Sequence, residues 1–261
     1  MKRIALTFML FVFLVCNVLA SVTIINGLTH IYNGISGDVI EGEIILINGS
    51  DVEQRVKFVI NEAILSCEKS RFFTEKDPHP QSSSDWVDNA VNERVLMPNE
   101  RYVHKFKIKI PVDTSLKGSF WSVIMVSVEN PIKEEVINSS IGLNTKIQYA
   151  VALLTNVNGF NESNLDFENV QFDEQSEAKV LGVKIRNQGS FIEGVKLTLE
   201  VYDVLGQKVK VLDTDRNLVF PGVCRDFKID ISDLPKGNYQ CLLVAETRNE
   251  FVGANINLFQ K

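Results

Sequence analysis

The sequence predicts an all-β protein built as two β-sandwiches in tandem. Three observations carry this. Short stretches alternate apolar and polar residues with period two, as in "VHKFKIKIPV", where His104, Phe106, Ile108 and Ile110 share one parity and Val103, Lys105, Lys107 and Lys109 the other; such alternation marks a half-buried strand. Turn signals ("NGSD", "MPNE", "SLKG", "RNQGS", "VLGQ", "FPG", "LPKGN") separate these stretches, at the spacing of roughly 8–12 residues that argues for a sandwich or barrel. Finally, three landmarks recur in the same order in both halves of the chain.

The first landmark is an Asn followed by Val-Lys-apolar: Asn48 with Val56, Lys57 and Phe58, then Asn187 with Val195, Lys196 and Leu197. The second is apolar-x-Pro, a short gap and Phe-Lys-Ile, in "LMPNERYVHKFKIKI" and again in "VFPGVCRDFKIDI". The third is Lys-Gly-polar-aromatic leading into an aliphatic strand, in "KGSFWSVIMV" and "KGNYQCLLVA". Two copies of one domain of roughly 110 residues each account for this order.

Taken along the chain, Lys2 and Arg3 precede an apolar run over residues 4–15 and then "NVLAS". A basic start, a short apolar stretch and a small residue before the cut read as a signal peptide over residues 1–20. The run is short of the ~20 residues a span needs, and Val15 stands where lipidation of Cys16 asks for a small residue. Residues 21–155 form the first copy and residues 156–261 the second. The first copy is longer by roughly 20 residues, placed at about 67–86 in "CEKSRFFTEKDPHPQSSSDW", a Pro-, Ser- and charge-rich loop insertion. In each repeated Gly-aromatic phrase, Gly118 or Gly237 permits the turn and Phe120 or Tyr239 opens a central strand. Tyr239-Gln240-Cys241 has the spacing of the tyrosine corner of immunoglobulin sandwiches. Each copy is therefore expected to be immunoglobulin-like, with Tyr239 bonded back to its corner and Phe120 in the equivalent buried position.

Recognisable chemistry is absent. His30, His79 and His104 have no metal-pair spacing. The nucleophile elbow, zincin, phosphate-loop and dinucleotide motifs are missing. No catalytic residue, metal ligand or cofactor is assigned. Glu134-Glu135 and Asp213 with Asp215 read as turn residues, and Asn48, Asn138 and Asn161 head glycosylation sequons. A formal net charge of -6, more acidic once Lys2 and Arg3 are removed, argues against nucleic acid as a partner. Beyond the leader the cysteines are Cys67, Cys224 and Cys241, an odd number in an export-type chain that permits disulfides. Whether Cys224 and Cys241 are bridged is left open. Strand offset argues against that bridge, and buried free thiols are the other reading.

Two sets of residues are candidates for contact. The insertion carries Phe72, Phe73 and Trp86, and Trp121 lies on the opposite strand face from Phe120. These four are the expected partner-binding residues, Trp86 foremost because Trp is enriched at binding hot spots. The other reading of the insertion is a lid closing one end of the sandwich.

At "LMPNERYVHKFKIKIPVDTSLKGSFWSVIMV" the chain resembles two groups of exported bacterial proteins with immunoglobulin-like domains. One is the WxL-interacting proteins, and that resemblance implies peptidoglycan binding. The other is the periplasmic pilus chaperones, also tandem sandwiches, which hold a subunit's carboxylate with an Arg in the first strand and a Lys in the last strand of domain 1. Here "SVTIINGLTHIYNG" has no Arg, while "NTKIQYAVALLTNV" offers Lys146 and then Ile147, Tyr149, Val151 and Leu153, an apolar row for pairing with a partner strand. The expected function is a non-enzymatic, exported cell-envelope binding, adhesion or scaffold protein, contacting peptidoglycan or a surface protein. The alternative is a periplasmic pilus-assembly chaperone acting by β-strand addition. Expected partners are an envelope protein or cell-wall polymer, and neither nucleic acid nor a membrane span after signal cleavage. The expected location is periplasmic, secreted or cell-surface.

Overall fold

The computed structural model describes residues 22–68, 71–129, 146–160, 162–173, 179–248 and 250–260. The expected signal peptide, Glu134-Glu135 and the sequon asparagines Asn138 and Asn161 lie outside the described residues.

The first half contains β1 (Val22–Ile24), β2 (Thr29–Gly34), β3 (Val39–Asn48), β4 (Gln54–Ile64), β5 (Phe72–Thr74), β6 (Val87–Asp88), β7 (Glu93–Leu96), β8 (Arg101–Lys109), β9 (Gly118–Glu129) and β10 (Ile147–Val157). They form two sheets, β1-β3-β8-β6 and β2-β10-β9-β4-β5, with β7 beside β4. The second half contains β11 (Leu165–Asp173), β12 (Val180–Asn187), β13 (Glu193–Tyr202), β14 (Lys208–Asp213), β15 (Asn217–Val219), β16 (Cys224–Asp230), β17 (Gly237–Glu246) and β18 (Phe251–Gln260). Its sheets are β11-β12-β16 and β14-β13-β17-β18, with β15 beside β13. The architecture is two immunoglobulin-like β-sandwiches. Among the described residues the only helical piece is a single 3-10 turn, Ser84–Trp86.

Alternation does what the sequence predicts. The Phe106 parity of β8 faces a core with Ile44, Leu46, Phe58, Ile124, Val126 and Leu153. His104 shares that parity and is fully buried, its ring stacked 3.7 Å from Phe58. Its Nε2 is 2.5 Å from Asn89 Oδ1. Burial pushes the imidazole down to a pKa of about 4. The second core gathers Leu181, Ile185, Leu197, Leu199, Phe227, Ile229 and Leu243.

The landmark residues are turn builders. Asn48 and Asn187 are both fully buried at the ends of β3 and β12. Asn48 Oδ1 accepts the N–H of Ser50 while its Nδ2 donates to the carbonyls of Val52 and Met97. Asn187 Oδ1 accepts from Gly189 N–H, and its Nδ2 donates to Phe191 and Val219. Buried amides so satisfied hold a corner that a shorter side chain leaves open. An amide spent in this way also removes Asn48 from the glycosylation candidates. Tyr239 Oη donates to Pro235 O at 2.9 Å, making the tyrosine corner. Phe120 departs from the expected buried position: it lies half-buried against Trp86, with ring centroids 4.7 Å apart.

The two sandwiches touch through polar and apolar groups. Ser119 N–H donates to Ser190 O at 2.8 Å, and Ser119 Oγ accepts from Ile192 N–H. Gly118 sits at φ +137, and a Cβ there would lie 2.7 Å from Ser190 O. Only glycine satisfies both the backbone angle and that approach. Trp121, Ala63, Val123 and Leu154 pack with Ile192, Leu218 and Phe220 from the second sandwich.

The free-thiol reading holds for Cys241 and not for Cys224. Cys67 of the insertion is bonded to Cys224 of the second sandwich, and Cys241 is a buried free thiol. The strand offset between Cys224 and Cys241 presumes neighbouring strands. In fact β16 and β17 belong to facing sheets, and the partner of Cys224 comes from the other half of the chain.

Candidate functional site

The last strand of the first sandwich, β10, has two unequal halves. On one side it pairs antiparallel with β9 along its whole length, from Ile147 opposite Val128 to Val157 opposite Gly118. On the other side β2 runs parallel to it, beginning with Thr29 opposite Ala152 and ending with Gly34 opposite Val157. The bond at that boundary runs from Ala152 N–H to Leu28 O, 2.9 Å. Backbone groups alternate sides with period two along a strand. Gln148 and Ala150 therefore turn their N–H and C=O groups to the same edge as Ala152. Among the described residues no strand pairs with that edge over residues 147–151. The chain causes this gap by crossing between sheets: β1 pairs with β3, and β2 joins β10 only from Ala152 onward.

Both faces of β10 are apolar. Ile147, Tyr149, Val151 and Leu153 turn toward the sandwich interior. Val151 and Leu153 are fully buried, while Ile147 and Tyr149 are half-buried. Tyr149 Oη donates across the gap to Val22 O at 2.6 Å. The sequence-derived apolar row is thus real, and in this structure it fills its own sandwich. Lys146, at the start of the strand, pairs with Glu129 at 3.3 Å, and Lys57 reaches the same carboxylate at 3.1 Å. Hydrogen bonds from these two lysines hold the Glu129 carboxyl below its usual range.

The outer face of the same sheet is apolar too, through Ala150, Ala152 and Leu154 on β10 and Trp121, Val123 and Met125 on β9. A sheet buried on both faces reads as continuous apolar sequence, which is why "FWSVIMV" has no alternation. Above this face lies a cavity of about 210 Å³, closed by Arg71 and Phe73 of the insertion and Phe220 of the second sandwich. Arg71 has no ion-pair partner among the described residues.

For the insertion the sequence predicts an irregular loop. It instead contributes β5, paired with β4 through Ala63 opposite Phe73, and is fastened down at several points. Ser82 Oγ donates to Glu62 Oε1 at 2.8 Å. His79 stacks on Trp121 with centroids 4.4 Å apart and sits 3.4 Å from Glu62 Oε2. Burial lowers the His79 pKa, with Glu62 opposing. Of the four aromatic candidates, Trp121 is only 3% exposed, with its indole N–H on Ala63 O at 3.0 Å. Its ring contacts are His79 and Phe220 of this same chain. Trp86 packs against the first core. Phe72 and Phe73 remain exposed, at 50% and 37%. Arg71 carries no sequence signal beyond its place between Cys67 and the Phe pair.

No protein-family model and no curated protein sequence matches the chain. Solved structures do. The class 5 fimbriae chaperone CfaA is 12% identical, with a TM-score of 0.49, over 92% of this chain and 99% of that one. The Salmonella enterica SafB chaperone, solved with the SafA pilin, is 13% identical with a TM-score of 0.47, over 92% and 97%. The YadV chaperone is 12% identical with a TM-score of 0.46, over 92% and 100%. At this identity the likeness is one of fold. The expectation of a peptidoglycan- or surface-binding scaffold is corrected here: the matched structures are fimbrial chaperones, and the comparisons give no support to WxL-interacting proteins or to a cell-wall polymer as partner. Among the described residues no helix is long and apolar enough to cross a membrane.

Proposed function

We propose that the protein is a non-enzymatic periplasmic chaperone of pilus-type subunits that acts by β-strand addition, with residues 21–155 and 156–261 as its two domains behind a signal peptide. The observation that carries this reading is the open stretch of β10. Gln148 and Ala150 offer four backbone groups to an incoming strand, each hydrogen bond worth about 0.5–1.5 kcal/mol net. Ile147 and Tyr149, half-buried at the mouth of the sandwich, supply the apolar contact beside them.

The structural neighbours include a chaperone bound to its pilin, which supports a protein partner of that kind. The resemblance to those chaperones implies a basic residue for the subunit's carboxylate. Lys146 is already engaged by Glu129. The residue assigned to that role here is Arg71, beside the outer cavity.

The test is photo-crosslinking in the periplasm of the producing cell. A photoreactive residue replaces Gln148, and the adduct is identified by mass spectrometry. An exported subunit with an incomplete sandwich is expected. Adducts to peptidoglycan alone, or the same adducts from a photoreactive residue placed on β14, contradict the proposal.

A further inference from the structure

The four outer strands of the second sandwich are not protected alike. β14 carries Lys208 and Lys210. β16 carries Arg225, Asp226, Lys228 and Asp230. β11 carries Asp166 and Glu168 and has a register shift between Phe167 and Asn169. Charges and bulges are the usual means of stopping edge-to-edge pairing. β18, "FVGANINLFQ", has none of them over 10 residues: no charge, no proline and no shift in its pairing with β17.

The direction of its backbone groups follows from the hairpin. Thr247 N–H donates to Glu250 O at 2.9 Å, so Thr247 and Glu250 are a hydrogen-bonded pair. The alternation then assigns Val252, Ala254, Ile256, Leu258 and Gln260 to β17. Phe251, Gly253, Asn255, Asn257 and Phe259 turn N–H and C=O outward, and among the described residues no strand meets them. The same five side chains lie on the exposed face, with Phe251 at 74% and Phe259 at 53%.

We propose that β18 is a homodimer seam, in which two copies pair antiparallel about a two-fold axis between their Asn255 residues. That register is the only one that pairs all five outward residues. Phe251 meets Phe259 of the second copy at each end, Gly253 meets Asn257 and leaves room for its amide, and Asn255 meets Asn255. Moving the axis by two residues leaves a Phe without its mate. The absence of charge lets identical edges meet without repulsion. The result is a continuous sheet across both copies closed by about ten backbone hydrogen bonds. The β10 edge takes no part, so the inference stands or falls apart from the proposed chaperone role.

The experiment is sedimentation equilibrium on the full oxidised chain. Wild type is expected to self-associate to a dimer and no further. Asn255→Pro removes an outward N–H and no bond to β17, and Asn255→Lys places a charge on the axis. Each is expected to weaken the dimer about tenfold or more, with an unchanged circular dichroism spectrum. Asn255→Cys fixes the register. Antiparallel hydrogen-bonded partners lie about 5.5 Å apart at Cα, within disulfide range, so this variant is expected to cross-link to itself while Gly253→Cys does not. A wild type that stays monomeric, a dimer unaffected by both Asn255→Pro and Asn255→Lys, or equal cross-linking from positions 253 and 255 overturns the seam.

Discussion

The N–H of Ala152 donates to the carbonyl of Leu28 at 2.9 Å, and this bond marks where the edge of β10 stops being covered. C-terminal to it β2 accompanies the strand to Val157. N-terminal to it Gln148 and Ala150 face outward alone. Hydrogen exchange should show the difference residue by residue. The amides of Gln148 and Ala150 are expected to exchange quickly, those of Tyr149 and Val151, bonded to β9, slowly. Uniform protection across residues 147–151 would mean that something occupies the edge.

His104 should make the first sandwich sensitive to acid. Its folded pKa of about 4 lies below the ordinary 6.5, so the unfolded state binds the proton more readily between these values. The stabilisation is complete above pH 6.5, falls as pH drops toward 4 and is flat below. The loss amounts to about 3 kcal/mol at most. His104→Leu should flatten the melting temperature over this window relative to wild type.

Tyr239→Phe removes the hydroxyl bonded to Pro235 O and leaves the ring over Gly237. The expected cost is about 1 kcal/mol, the net worth of one neutral hydrogen bond. Denaturant melts check it, and an unchanged midpoint would remove the corner from the account of the second sandwich.

Non-reducing peptide mapping should find Cys67 joined to Cys224 and Cys241 free. Burial pushes the Cys241 thiol up to about 11, so alkylation of the native protein at pH 8 should be slow. Cys224→Ser is expected to cost about 2–5 kcal/mol, measured as a lower denaturant midpoint.

These features were not equally legible in the sequence. Period-two alternation exposed the His104 and Phe106 parity, and the repeated Gly-x-aromatic phrase exposed the Tyr239 corner, because both are local. The Cys67–Cys224 bridge joins residues separated by 157 positions, and no local pattern encodes such a pairing. Strand parity puts Trp121 on the opposite face from Phe120, but its cover, Phe220, comes from the second sandwich. The apolar row of β10 was legible. Its open half was not, since that depends on where β2 leaves one sheet for the other. Pro- and Ser-rich composition read as loop concealed β5, whose pairing with β4 spans only Glu62 to Ile64.

The most direct measurement is partner capture by Ala150→Pro beside Val151→Pro. Proline on an edge strand is tolerated where its missing N–H faces outward and disruptive where it faces a neighbour. Ala150→Pro is therefore expected to fold with a near-native melting temperature and to lose capture of the exported subunit, whereas Val151→Pro breaks the pairing with β9 and unfolds at lower temperature. A well-folded Ala150→Pro protein that captures the subunit as well as wild type would contradict strand addition at β10.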